Sequence, residues 1–357
     1  MKYLHIMNYS NYVVSKSFTR FVGECFNAEE HIFAFIGEFD SRFEQISTQC
    51  PIIYLRNMEE VIPYMKKADM VLLHALTFNA KMQLFLLSHP SIMKKTAWIA
   101  WGGDLYKRKI TTFKEILSGV IKKIFVYNLR LFISIFSADA QYFQDNYISK
   151  AKIIKSSYVS GCYLELYQKN FEFTDLMEKY KDGKEINIII GHQANPDLNH
   201  IKVLKQLLPY KEENIKIYIP LSYGDRLNAE EVEKYAKALY GDNAIILKEW
   251  MSISDYDDLL NRMDIAIFDT ARQIGLGNIN KLLHMKKKIF MQRDSVMYNF
   301  YSSQDVHMYD CDEIGKSSFC DFIKNHNDNS GSEYIRNVLT NKEKKKEQWG
   351  RVFSEAT

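Results

Sequence analysis

Short apolar runs recur along this chain, and most are followed by a stretch with helical spacing. Residues 3–7, 31–36, 52–55, 70–74 and 96–101 are rich in β-branched, aromatic and other apolar side chains. Between them, Phe18, Phe21, Val22 and Cys25 recur at helical spacing on one face. Strands that alternate with helices need crossover connections, so the pattern predicts an α/β fold with a parallel sheet covered on both faces. In such sheets ligands collect at the carboxyl ends of the strands. His74 and Asp104 fall at or just past such ends.

After a charged, apolar-poor stretch at 165–185 the rhythm restarts, with β-compatible runs at 186–190, 216–220, 244–247, 264–268 and 288–292. At 357 residues the chain exceeds one typical core. The expected organisation is therefore two Rossmann-like domains. The first covers 1–165, a linker 166–185, the second 186–325, and 326–357 form a terminal helix that packs back on the first domain.

The net charge of +3 carries no overall nucleic-acid signature. The five cysteines are scattered and form no CxxC pair, so neither zinc nor any other metal is expected, and a reducing compartment is favoured. No run of eighteen uncharged apolar residues offers a membrane span. Neither half carries a G-x-G-x-x-G after its first strand or a P-loop, which argues against dinucleotide oxidoreductases and NTPases.

Residues 107–136 stand out. Lys114, Lys122, Lys123 and Arg130 punctuate an apolar run with one acid, Glu115. The pattern predicts a pair of basic amphipathic helices suited to an anionic membrane surface, with Lys122, Lys123 and Arg130 facing it. A core helix with a solvated basic face would read the same way.

The richest loop is 269–278, Asp-Thr-Ala-Arg-Gln-Ile-Gly-Leu-Gly-Asn, set between a strand and a helix. Free N–H groups and the helix dipole make such a junction an anion site. Arg272 adds a permanently charged fork suited to phosphate. An ordinary βα-loop with a surface arginine has the same letters.

Taken in order, several stretches resemble one family. They are His74 with Phe78-Asn79, Trp101-Gly102-Gly103-Asp104-Leu105-Tyr106, Gly191 with Asn199-His200, Pro220-Leu221-Ser222-Tyr223-Gly224, and Ala271 to Asn278. The set resembles the bacterial TDP-N-acetylfucosamine:lipid II N-acetylfucosaminyltransferases, which act in synthesis of enterobacterial common antigen. Departures fall at His192 and at Trp98-Ile99.

The resemblance implies a GT-B glycosyltransferase with two Rossmann-like domains facing a central cleft. It also implies a TDP-sugar donor, an undecaprenyl-diphosphate-linked oligosaccharide acceptor, no cofactor, and a peripheral place on the cytoplasmic face of the bacterial inner membrane. The donor diphosphate is assigned to Arg272, Gln273, Gly275 and the amides of Gly277 and Asn278. Gly191, His192, Gln193, Ser222, Tyr223 and Arg293 are further nucleotide-sugar contacts. Asp104 and His74 are the candidate catalytic bases. Asn79, Trp101, Gly103 and Tyr106 are candidate acceptor contacts. On the residues alone, Asp104 also reads as a turn cap and His74 as a hydrogen-bonded histidine at a strand end. A nucleotide-sugar epimerase or a non-catalytic scaffold in polysaccharide assembly remain the competing readings.

Overall fold

The structure, a computed structural model, describes residues 2–9, 12–76, 80–106 and 112–356. The chain divides into two compact units. One comprises Met1–Tyr163 with Thr340–Thr357, the other Leu164–Leu339.

The first unit holds seven strands: β1 Tyr3–Asn8, β2 His31–Ile36, β3 Ile52–Leu55, β4 Met70–His74, β5 Thr96–Ile99, β6 Leu131–Ser134 and β7 Lys152–Lys155. All pairings are parallel, in the order β3-β2-β1-β4-β5-β6-β7. The inner strands β1, β2, β4, β5 and β6 are largely buried on both faces, which is why they read as apolar runs rather than alternating ones. Phe18, Phe33, Phe35 and Trp349 pack on one face, and Trp98, Phe125, Phe132 and Phe143 on the other.

Two helices of this unit matter below: α1 Ala80–Leu87 and α2 Phe113–Tyr127. Thr112 and Glu115 close a reciprocal capping box at the start of α2. The expected second amphipathic helix is absent. Leu131 to Ser134 form β6, fully buried between β5 and β7. An uninterrupted apolar tetrad fits a central strand, and its neighbours on both edges decide the matter.

The second unit has β8 Ile186–Ile190, β9 Ile215–Pro220, β10 Ala244–Leu247, β11 Ile265–Phe268, β12 Lys288–Met291 and β13 Tyr309–Asp310. They too are all parallel, in the order β10-β9-β8-β11-β12-β13. Helix α3, Leu276–His284, follows β11. The stretch at 165–185 lies within this unit.

The last helix, α4 Lys342–Phe353, belongs to the first unit. Trp349 donates its indole N–H to the Ser157 carbonyl at 2.9 Å, and Tyr3 donates its hydroxyl to the Phe353 carbonyl at 3.0 Å. The helix does not run unbroken from 331. A π-turn at Ile335–Leu339 and the Asn341 cap separate α4 from the preceding turn. All five cysteines are free.

Each sheet reverses its strand order once, between β1 and β4 and between β8 and β11. Crevices at the carboxyl ends of strands beside such a reversal are where open α/β sheets bind ligands.

Candidate active site

In the second unit, β8 is followed by Gly191 and His192, and β11 by Asp269. Gly191 has φ +63° and Gly275 φ +81°, conformations that disfavour any side chain. Both glycines also sit too close to a histidine to carry one. A Cβ on Gly275 would lie 2.9 Å from His192 Nδ1, and one on Gly191 would lie 2.9 Å from His200 Nε2. Gly275 is the N-cap of α3, so the first free amides of that helix open beside His192. A Cβ on Gly277 would meet nothing within 4 Å, so the backbone there is open to a ligand.

His192 Nδ1, both ring nitrogens of His200 and Gln273 Oε1 are buried without a hydrogen-bond partner among the described residues. Burial, then the neighbouring His200, lowers the His192 pKa to about 4; burial lowers His200 likewise to about 4. Asp269 is fully buried, with Lys202 Nζ 3.0 Å from its Oδ2. Uncompensated buried polar atoms are costly and concentrate where a ligand is to complete the bonding.

A cavity of about 210 Å³ adjoins this point, lined by His192, Ser222, Tyr223, Trp250, Tyr256 and Asn278 among others. Tyr223 stacks on Trp250 with ring centroids 5.3 Å apart and planes 14° from parallel, and Trp250 is 75% exposed. An exposed, pre-stacked aromatic pair is a platform for another flat ring. Thus His192, Ser222, Tyr223 and Asn278 share one cavity, with Gly191 directly before His192 and Gly275 and Gly277 at the amino end of α3. Gln193 is half-buried on the same loop. Arg272 lies on the loop but is held by Asp197, Nη2 to Oδ2 at 2.5 Å. Arg293 is tied to Asp310 at 2.6 Å, at the end of β13 rather than at the order reversal. Trp250 and Tyr256 escaped the sequence reading, and His200 and Asp269 entered it only as motif letters with no role assigned. A tryptophan three residues past the end of β10 was the available signal for the first.

In the first unit the two candidate bases have other work. Asp104 accepts three hydrogen bonds: at Oδ2 from Leu76 N–H and Trp98 Nε1, both 2.7 Å, and at Oδ1 from Trp101 N–H at 2.8 Å. It clamps the loops after β4 and β5. His74 is fully buried inside a chain of rings. Its Nδ1 meets Tyr158 Oη at 2.8 Å and its Nε2 meets His5 Nδ1 at 3.1 Å; His5 Nε2 meets His31 Nδ1 at 3.0 Å. Trp101 Nε1, which can only donate, bonds to Tyr158 Oη. One consistent set of neutral tautomers has the Tyr158 hydroxyl donating to His74, His74 to His5 and His5 to His31. Every histidine is neutral in this assignment, and burial lowers the His74 pKa to about 3. With both ring nitrogens committed, His74 has no lone pair for a substrate.

Tyr106 donates its hydroxyl to Asp139 Oδ1 at 2.7 Å. Asp139 is buried, its second oxygen has no partner among the described residues, and its pKa is raised to about 6, by burial first. Trp101 is half-buried and Gly103 exposed on the same turn. Asn79 and Phe78, like Lys107 to Lys109, lie outside the described residues.

The expected membrane cations also change role. Lys122 points inward, donating to the Asp104 carbonyl and lying 5.4 Å from the Trp98 ring. Arg130 bonds to the Glu355 carbonyl. Only Lys123 of the three is exposed. Along α2 the exposed large apolar residues are Phe113, Ile116, Leu117, Val120, Ile124 and Tyr127, beside exposed Lys114, Glu115 and Lys123, while Ile121, Phe125 and Val126 face the core. At 100° per residue the six exposed apolar residues form one stripe, flanked by Lys114 on one side and Lys123 on the other. Among the described residues no helix is long and apolar enough to cross a membrane.

Twin parallel sheets of this topology, each reversing its strand order once, are those of the GT-B fold. Solved structures agree on the fold. A Rickettsia africae glycosyltransferase matches with TM-score 0.63 at 14% identity, over 99% of this chain and 98% of that one. Anabaena HepE, solved in complex with UDP, matches with TM-score 0.66 at 12% identity, over 99% and 100%. WaaG, a glycosyltransferase involved in lipopolysaccharide biosynthesis, matches with TM-score 0.59 at 9% identity, over 97% and 99%. Residues 46–325 match the family described as 4-alpha-L-fucosyltransferase, glycosyl transferase group 56, and the chain belongs to that family.

Proposed function

We propose that this glycosyltransferase moves a deoxyamino sugar of the N-acetylfucosamine type from a TDP-sugar to an undecaprenyl-diphosphate-linked oligosaccharide, in the synthesis of a cell-surface polysaccharide. The observation that carries the donor half is the crevice beside β8 and β11. It joins the amino end of α3, His192 and the Tyr223–Trp250 platform in one concavity. A flat base on the platform would set its diphosphate toward the Gly277 and Asn278 amides, where the helix dipole favours the charge of the departing nucleoside diphosphate. Ser222, Gln193, Gln273, Gly191 and Gly275 shape the same site; Arg272 joins it by leaving Asp197. Arg293 is left out.

The choice of TDP and of a 4-acetamido-4,6-dideoxygalactosyl group rests on the ordered motifs at 74–79, 101–106, 191–200, 220–224 and 271–278. The acceptor is assigned to the first unit, with Asp104 and His74 as positioning groups rather than bases. Membrane contact is assigned to the apolar stripe of α2, with Lys114 and Lys123 at its margins as partners for anionic headgroups.

The test is direct. The protein is incubated with TDP-4-acetamido-4,6-dideoxygalactose and a lipid-diphosphate disaccharide, and the lipid products are weighed by mass spectrometry. A product heavier by one sugar residue is expected. No extended lipid together with no TDP binding by calorimetry would overturn the reading.

A further inference from the structure

A second cavity, larger than the one beside His192, lies in the first unit at the crevice between β1 and β4. It measures about 630 Å³, inside the range of sites that enclose a small organic ligand. Ile6, Met7, Met58, Ile62, Met82 and Phe85 make its walls. Its polar lining residues are Asn8, Asn57, Glu59, His74 and Lys81, of which His74 is committed to Tyr158 and His5 and Glu59 pairs with Lys81. The Asn57 amide at the rim is already spent, capping the turn at Glu60. Glycan sites present many hydrogen-bonding groups; flexible, polarisable methionines suit apolar ligands of variable shape.

Three further observations fix the character of the occupant. At the mouth stands Lys81, 85% exposed, with a weak ion pair to Glu59 at 3.3 Å. Such an exposed pair is worth little, so the ammonium is available to a stronger anion. Next, Ala75 in the wall has φ +70°, a conformation an alanine rarely takes. It is held by Ile99 O on its own N–H and by Asp104 Oδ2 on the N–H of Leu76. Backbone strain held by its surroundings clusters at ligand clamps. Lastly, α1 supplies Lys81, Met82 and Phe85 to the cavity and also packs on α2, whose outer stripe is apolar. Exposed Leu84 of α1 extends that apolar surface. Cavity and stripe are thus two sides of one helix pair.

The geometry points to this cavity as the seat of the hydrocarbon chain of an amphiphilic substrate, with Lys81 meeting the anionic head. Under the function proposed above, on which the assignment rests, that substrate is the lipid-linked acceptor and the occupant is the chain next to its diphosphate. Asp104 is then a positioning residue: it holds the strained wall and touches no substrate.

The experiment uses the full-length chain labelled at its methionine methyls. Met7, Met58 and Met82 line this cavity, whereas Met251 lines the nucleotide cavity. Signals are assigned from single Met→Leu variants. Farnesyl diphosphate should move the three cavity methyls, a lipid-free disaccharide diphosphate should leave them in place, and TDP should move Met251. If farnesyl diphosphate leaves all three unmoved, or the lipid-free compound moves them equally, the assignment is wrong. Met251 unmoved by TDP would count against the donor site and leave the cavity result to stand by itself. Ile62→Trp, at a half-buried wall position, should raise KM for a lipid-linked acceptor about tenfold or more with TDP affinity unchanged. An unchanged KM would overturn the assignment.

Discussion

Arg272 and Asp197, on the loops after β11 and β8, form an ion pair, each about half exposed. For Arg272 to reach a diphosphate it must exchange one anion for another, so its net contribution is smaller than that of an unpaired arginine. Charge-assisted bonds at exposed positions are further weakened by solvent. Arg272→Ala should weaken TDP binding by about 1 kcal/mol. Asp197→Asn should do the opposite, tightening TDP by a similar amount because the guanidinium starts free. Calorimetric titration of both variants checks the pair, and matching losses would remove the exchange. The letters at 269–278 showed an arginine and glycines ahead of a helix; they could not show that the arginine is paired with Asp197, 75 residues earlier in the chain. In the same way, Asp104 and His74 were legible as polar residues at strand ends. Their commitment to Trp98, Trp101, Leu76 and Tyr158 depends on contacts between separate loops, which no local pattern encodes.

At the scale of elements, parallel strands announce themselves because burial on both faces makes them uniformly apolar. That is why β1 to β5 and β8 to β12 could be read from composition and spacing. β6 was hidden because Leu131 to Ser134 continue the apolar run of α2 after only Asn128, Leu129 and Arg130. Periodicity over so short a run does not separate strand from buried helix. The same ambiguity concealed which face of α2 is free. Lys122 looked like a surface cation, yet its stem crosses the Trp98 and Tyr147 rings. Two variants distinguish the faces. Replacing Ile116, Leu117 and Ile124 by Ser removes apolar area that binding would bury at about 25 cal/mol per Å², and should reduce flotation with anionic vesicles sharply. Lys122→Gln should leave flotation unchanged and lower the melting temperature instead. Flotation that follows Lys122 and ignores the stripe would return the membrane face to the basic residues.

At the scale of the whole molecule, both units bury neutral histidines. His5, His31 and His74 are buried in the first unit, and His192 and His200 in the second. Desolvation lowers all five, His31 to about 4 and His74 to about 3, with His5 also well below the ordinary value. Unfolded histidine titrates near 6.5. Between that value and the folded values the unfolded chain binds more protons than the folded one. Stability is therefore fully held above about pH 6.5 and is lost as pH falls below it, by up to about 1.4 kcal/mol per pH unit for each such histidine. Most domains hold only 5–15 kcal/mol in all, so a few histidines suffice to unfold a unit in mild acid. Urea midpoints should hold between pH 8 and 7 and drop steeply from pH 6.5 to 5. His200→Gln should lessen the drop for the second unit alone, followed by the fluorescence of Trp250 in a variant whose other tryptophans are phenylalanine. The comparison is with the same tryptophan variant retaining His200. Because His200 lies beneath the Gly191 loop, ligand tests the same protons: if TDP takes up the unpartnered histidine nitrogens, saturating TDP should shift the acid transition of the second unit and leave that of the first in place. An acid transition that ignores both the substitution and TDP would mean that other groups, and not these histidines, set the acid limit of the second unit.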